Sequence, residues 1–286
     1  MIRYVISASF AFFSLASFAE ETLAKPQAPS ILAFGDSIMA GYSKNGDLRF
    51  GKLDFVSLVG QAVRTRSEYP KFEIWNLAIP GLKTGAIRKA FEKLQIGRQR
   101  DSDILLLNGG GNNALPFRKL PLAQVCDERT YEGFVPAITA DWVSMTNLLR
   151  SRRPASKPTL VLGLYYPPLN QGLSQPCGPN RSVADVFLPF LAAANHRIQE
   201  LAKRDQLLWL DLMPIMNCPA SARHLCEIQA GEPLASYQAR LAVLMKAGIF
   251  RDPGDNEGGI IQADHVHPNA RGHRLISESI LQVLGY

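Results

Sequence analysis

Five short apolar runs, separated by stretches with helical spacing, constrain the fold of this chain more than any other feature. The runs are Ile31 to Phe34, Phe72 to Leu77, Asp103 to Leu107, Thr159 to Tyr165 and Leu207 to Leu212. The helical stretches are Leu53 to Arg64, Thr84 to Leu94, Tyr131 to Arg150, Ala184 to Lys203 and Ala270 to Leu284. In the first of these Phe55, Leu58, Val59, Ala62 and Val63 fall on one helical face. A helix-length connection carries the chain back to the start of the next strand, so the strands run parallel and helices cover both faces of the sheet. The expected fold class is therefore α/β, a single three-layer αβα domain around a parallel five-stranded sheet. Sites in such sheets lie at the carboxyl ends of the strands. That is where chemistry is to be sought.

Four segments stand at those ends or before the last helix. Phe34-Gly-Asp-Ser37-Ile38 puts a serine hydroxyl at the top of the sheet, beside the N–H groups of a helix start that suit a developing negative charge. Asn76-Leu-Ala-Ile-Pro-Gly81 follows the second run, and its glycine lets backbone approach a ligand closely. Asn108-Gly-Gly-Gly-Asn112-Asn113 strips side chains from the third strand end and leaves Asn112 to project an amide. Asp264-His265-Val-His267-Pro268-Asn269 precedes the last helix, with Asn269 as its expected N-cap. A carboxylate three residues before a histidine turns back to accept from Nδ1, which fixes the tautomer and leaves Nε2 to take a serine proton. Imidazole exchanges protons near neutral pH. Its spacing from Asp264 and the following proline favour His267 over His265. A His-x-His zinc reading leaves Ser37 and Asn112 unexplained.

Taken singly these segments are turns; taken together and in this order, they resemble the SGNH (GDSL-type) hydrolases, from Ile31 to the C-terminus. The resemblance implies a flavodoxin-like fold and a carboxylic-ester hydrolase without cofactor or metal. It implies Ser37 as nucleophile, His267 as base and Asp264 as orienter. The oxyanion donors would be the Ser37 N–H, the Gly81 N–H and the Asn112 side chain. The family's third block usually ends Gly-x-Asn-Asp, and this chain has Asn113 in the last place. Tyr165 and Tyr166 at the end of the fourth run are the expected substrate-binding residues, with Trp75 nearby. No long apolar stretch argues for a lipase lid, which points to short acyl groups such as acetyl, on a small-molecule or glycan ester. An acyltransferase or a catalytically silent binding protein on the same scaffold is the alternative.

The ends and the cysteines speak to compartment. Arg3 followed by the apolar run Val5 to Ala19 reads as a secretory leader, residues 1–24, because the run is short for a bilayer span of about 20 residues. Residues 25–286 then form the hydrolase domain, periplasmic or extracellular, with no stable membrane insertion after the leader is removed. Four cysteines in an exported chain suggest two disulfides, and sequence proximity favours Cys218–Cys226 with Cys126–Cys177. The segment 213–262 breaks the strand–helix rhythm and reads as a disulfide-pinned excursion near the active face; its acidic loop Asp252 to Gly259 lacks calcium-loop spacing. Loss of Arg3, Glu20 and Glu21 with the leader raises the net charge from +6 to +7. The basic residues are scattered, without a stripe or interleaved aromatics, so a nucleic-acid partner is not expected.

Overall fold

The computed structural model describes residues 29–42, 53–66, 72–94, 96–167, 176–253, 259–262, 264 and 266–286. Each of the five apolar runs supplies a strand: β1 Ser30–Phe34, β2 Glu73–Asn76, β3 Ile104–Asn108 and β4 Thr159–Leu162. After a small antiparallel ribbon, β5 Pro176–Gly178 with β6 Arg181–Ser182, comes β7 Leu208–Leu210. The five main strands form one sheet in the order β2–β1–β3–β4–β7, and every pairing in it is parallel.

The strands read as continuous apolar runs because both faces are covered. On β1, Ile31 and Ala33 pack with the helices Phe55–Arg66 and Ala270–Val283, while Leu32 and Phe34 face the layer of Thr84–Lys93, Phe134–Arg152 and Val183–Arg204. Helix starts follow the local chemistry. Ser182 and Asp185 form a reciprocal capping box for the longest helix, and Asn269 accepts from the amides of Arg271 and Gly272. No helix among the described residues is long and apolar enough to cross a membrane.

Strand order places the site. The chain leaves β1 for β2 on one side and returns to β3 on the other, so the connections after β1 and β3 diverge and leave a crevice at their carboxyl ends. Ser37 follows β1 and Asn112 follows β3.

One expectation is corrected. The fourth strand ends at Leu162, not Tyr165, because its neighbour β7 ends at Leu210 and no ladder remains to continue. Side-chain amides replace that ladder. Asn195 accepts from the Leu164 N–H and donates to its carbonyl, both at 2.7 Å, and Asn217 accepts from the Tyr166 N–H at 2.9 Å. The segment 213–262, expected as a disulfide-pinned excursion, packs onto the domain through its helices. Asp211 caps a helix, Leu212–Asn217, directly after β7, and the helix Leu234–Lys246 buries Tyr237, Leu241 and Leu244 in the core. Gln238 ties that helix to the Pro189 carbonyl of the long helix at 2.8 Å. Both preferred disulfides, Cys126–Cys177 and Cys218–Cys226, are formed. The leader, His265 and positions 254–258 of the acidic loop lie outside the described residues.

Candidate active site

Beyond β1, Gly35 and Asp36 turn the chain into a single helical turn, Ser37–Ala40. The Asp36 carboxylate accepts from the Ile38 N–H at 3.0 Å and from Asn108 Nδ2 at 2.9 Å; Asn108 Oδ1 accepts from the Asp36 N–H at 3.1 Å. This closed pair locks the end of β1 to the end of β3. A Cβ on Gly35 would stand 1.7 Å from Asn108 Oδ1, so the close approach requires glycine. Ser37 is thereby held with its side chain at the strand ends, buried but bordering a cleft.

The last loop brings the other partners. His267 Nε2 lies 2.8 Å from Ser37 Oγ, and its Nδ1 lies 2.6 Å from Asp264 Oδ2. The second Asp264 oxygen accepts from the Val266 N–H at 2.9 Å and the His267 N–H at 3.0 Å, so one carboxylate shapes the loop and orients the ring together. Neighbouring elements hold the loop in place. Both Arg118 Nη atoms donate to the Asp264 carbonyl at 3.3 Å, the Tyr165 hydroxyl donates to the Val266 carbonyl, and the Gln262 N–H donates to the His267 carbonyl at 2.8 Å.

Burial is the largest influence on the Asp264 carboxyl and pulls its pKa upward. The His267 amide, the His267 ring and the Val266 amide together outweigh it and hold the group below its ordinary value. Asp36 differs: burial dominates and raises its carboxyl, although Asn108 and the Ile38 amide act against it.

Asn112 shares the cleft wall with Ser37, and its Nδ2 donates to the Leu82 carbonyl at 3.0 Å, leaving its second hydrogen uncommitted to that bond. Its neighbour Asn113 accepts from the Thr84 N–H at 3.0 Å, so adjacent amides stitch the third strand end to the Gly81 loop. Gly81 itself is exposed in the turn after β2, with φ 82°. The cleft is narrow and open to solvent, with Leu115, Leu164, Pro167 and Leu212 supplying much of its apolar lining.

The two tyrosines part company. Tyr165 lines the cleft, whereas Tyr166 is fully buried against Phe187 and Phe250 in the helix-covered core. Tyr166 is therefore removed from the substrate-binding set: successive residues of an extended segment point to opposite faces, and only one of them faces the cleft. Trp75 packs under the Arg98 guanidinium, 5.9 Å from its ring centroid. Sequence reasoning missed Asn108, Arg118 and Gln262. Asn108 stood inside a quoted segment, but the other two carry no local signal.

Solved structures share this fold. The lipase Lip_vut3 from a goat rumen metagenome aligns with a TM-score of 0.60 at 16% identity, over 90% of this chain and 97% of that one. Axe2, an acetylxylan esterase from Geobacillus stearothermophilus, aligns at 0.52 and 16% identity, over 92% and 97%. LAE5, an alpha/beta hydrolase enzyme from the metagenome of Lake Arreo, Spain, aligns at 0.51 and 16% identity, over 90% and 96%. At such identities the likeness is one of fold. No curated protein matches the chain. The model of the GDSL-like lipase/acylhydrolase family matches residues 33–275, and the chain belongs to that family. It is a carboxylic-ester hydrolase.

Proposed function

We propose that the chain is an exported serine esterase that hydrolyses short-chain acyl esters, acetyl esters foremost, carried by a small molecule or a glycan. The observation that carries this reading is the hydrogen-bonded series Ser37 Oγ, His267 Nε2, His267 Nδ1 and Asp264 Oδ2, at 2.8 and 2.6 Å. His267 Nε2 takes the Ser37 proton as Oγ attacks the ester carbonyl carbon. The carbonyl oxygen becomes an oxyanion held by the Ser37 and Gly81 amides and the Asn112 side chain. Collapse breaks the bond to the alcohol oxygen, which receives the proton from His267. Water, deprotonated by the same imidazole, then releases the acid and frees Ser37. Asp264 stays ionised and stabilises the imidazolium throughout.

Short acyl groups are supported by the leucines that crowd the cleft beside Ser37 and by the absence from the sequence of a long apolar lid segment. An acetyl group on a sugar is consistent with the acetylxylan esterase among the structural neighbours. Export is supported by the leader-like N-terminus and the two disulfides. The test is hydrolysis of p-nitrophenyl acetate, butyrate and octanoate by the wild type and Ser37→Ala. Rates are expected to fall with chain length, and Ser37→Ala to reduce kcat by about 10⁵- to 10⁶-fold. Equal rates in the two proteins remove Ser37 from the chemistry; a preference for octanoate removes the short-acyl assignment.

A further inference from the structure

The Ser37 turn and the His267 loop, 230 positions apart at their hydrogen bond, meet a second time through a residue outside the triad. Gly41 takes φ 69° at the end of the Ser37 turn, which points the chain back over the site. The Tyr42 N–H donates to the Ser37 carbonyl at 3.0 Å, fixing the tyrosine to the nucleophile's own backbone. Its ring lies against the His267 imidazole with centroids 4.6 Å apart and planes tilted by 51°. Gln262 closes the frame: its Nε2 donates to the Tyr42 carbonyl and the Pro268 carbonyl, each at 2.8 Å, and its backbone N–H donates to the His267 carbonyl at 2.8 Å. A single residue thus ties the Tyr42 main chain to the main chain of His267 and Pro268.

We infer that Tyr42 is a positioning residue for His267, acting in two ways. Its ring blocks rotation of the imidazole away from Ser37 Oγ. Its π face also stabilises the imidazolium that forms in each step, because an aromatic ring attracts a cation within about 6 Å of its centroid. This rests on the triad reading above. The ring does for one face of the imidazole what Asp264 does at Nδ1. The hydroxyl takes no part in either effect.

Other charged and titratable groups also bear on this imidazole. Asp264 lies on its own loop, with Arg118 behind it from the segment after Asn112. Asp36 acts from the end of β1, and His273, whose pKa burial pushes down to about 4, acts from the helix Ala270–Val283. None of these changes when Tyr42 is replaced by a neutral side chain, so a Tyr42 series isolates the ring.

The test compares Tyr42→Phe with Tyr42→Leu, which keeps apolar bulk and loses the π face. Titration of the His267 ring protons by NMR needs no substrate. The midpoint of Tyr42→Phe is expected to match the wild type, and that of Tyr42→Leu to fall by several tenths of a pH unit to about one. In p-nitrophenyl acetate hydrolysis, Tyr42→Leu is expected to lower kcat by roughly 5- to 30-fold with little change in KM, and Tyr42→Phe to stay within about twofold. The acid limb of kcat/KM should move to lower pH in Tyr42→Leu alone. Equal titration midpoints in all three proteins overturn the inference, as does a Tyr42→Leu defect confined to KM. Failure of the triad reading is read separately, as a wild type without esterase activity, because the titration stands apart from turnover.

Discussion

Two aspartates flank the Ser37–His267 pair, and their surroundings make them opposites. Asp36 is next to Ser37, the proposed nucleophile, in sequence and is 1% exposed. Its Oδ1 is committed to the Ile38 amide and to Asn108, burial raises its carboxyl, and it makes no hydrogen bond to the imidazole among those described. Asp264 comes from the far end of the chain, and its two oxygens collect the Nδ1 hydrogen and two backbone amides, which hold it low despite partial burial. Proximity to the serine does not make a carboxylate the partner of the imidazole; the hydrogens that reach each oxygen do. Asp36 builds the platform, and in the proposed reaction Asp264 serves the proton transfer.

Three substitutions break or sharpen that contrast. Asp264→Asn should have the largest effect, lowering kcat by about 10⁴-fold, because an amide can donate to Nδ1 and select the tautomer in which Nε2 carries a hydrogen and cannot accept one. A loss under about tenfold, measured by steady-state ester hydrolysis of a protein with unchanged circular dichroism, would make the two aspartates equivalent after all. Asn112→Ala comes next, at about 100- to 1,000-fold in kcat, the usual cost of one oxyanion donor. Its melting temperature should change little, since Asn113 still stitches the loop to the Thr84 amide.

Asp36→Asn should have the smallest effect on rate, about fivefold or less, because its side-chain oxygen still serves the Ile38 amide and Asn108. Its signature is in stability. The folded state raises the Asp36 pKa above its unfolded value, so the fold binds that proton more tightly than the unfolded chain does. Stability is therefore lost as pH rises from about 4 through the raised value, and the variant, having no such proton, escapes the loss. Thermal unfolding at pH 4 and pH 8 should show the variant's advantage only at the higher pH. A constant difference across that range would remove the buried, proton-binding carboxyl from the account.

Much of this was legible in the sequence, and the reason is local. Glycine after a strand, an N-capping asparagine and a continuous apolar run each act within a few residues, so the runs around Leu32, Leu105 and Val161 marked their strands and Asn269 marked the last helix start. The DxxH spacing works at the same range, since Asp264 must reach back only to His267. Tyr165 and Tyr166 mark the limit. Both follow the same strand, both are aromatic, and nothing nearby says which one faces the cleft.

The order of the apolar runs and the four polar segments thus determined the layers, the sheet and the candidate nucleophile, base and orienter. The tertiary structure alone decided that Asn108 locks Asp36, that Arg118 and Gln262 hold the histidine loop, and that Tyr42 covers the imidazole. The physical reason is that these contacts join strand ends and loops distant along the chain. Their partners are set by strand order and helix packing, which no short stretch of sequence encodes.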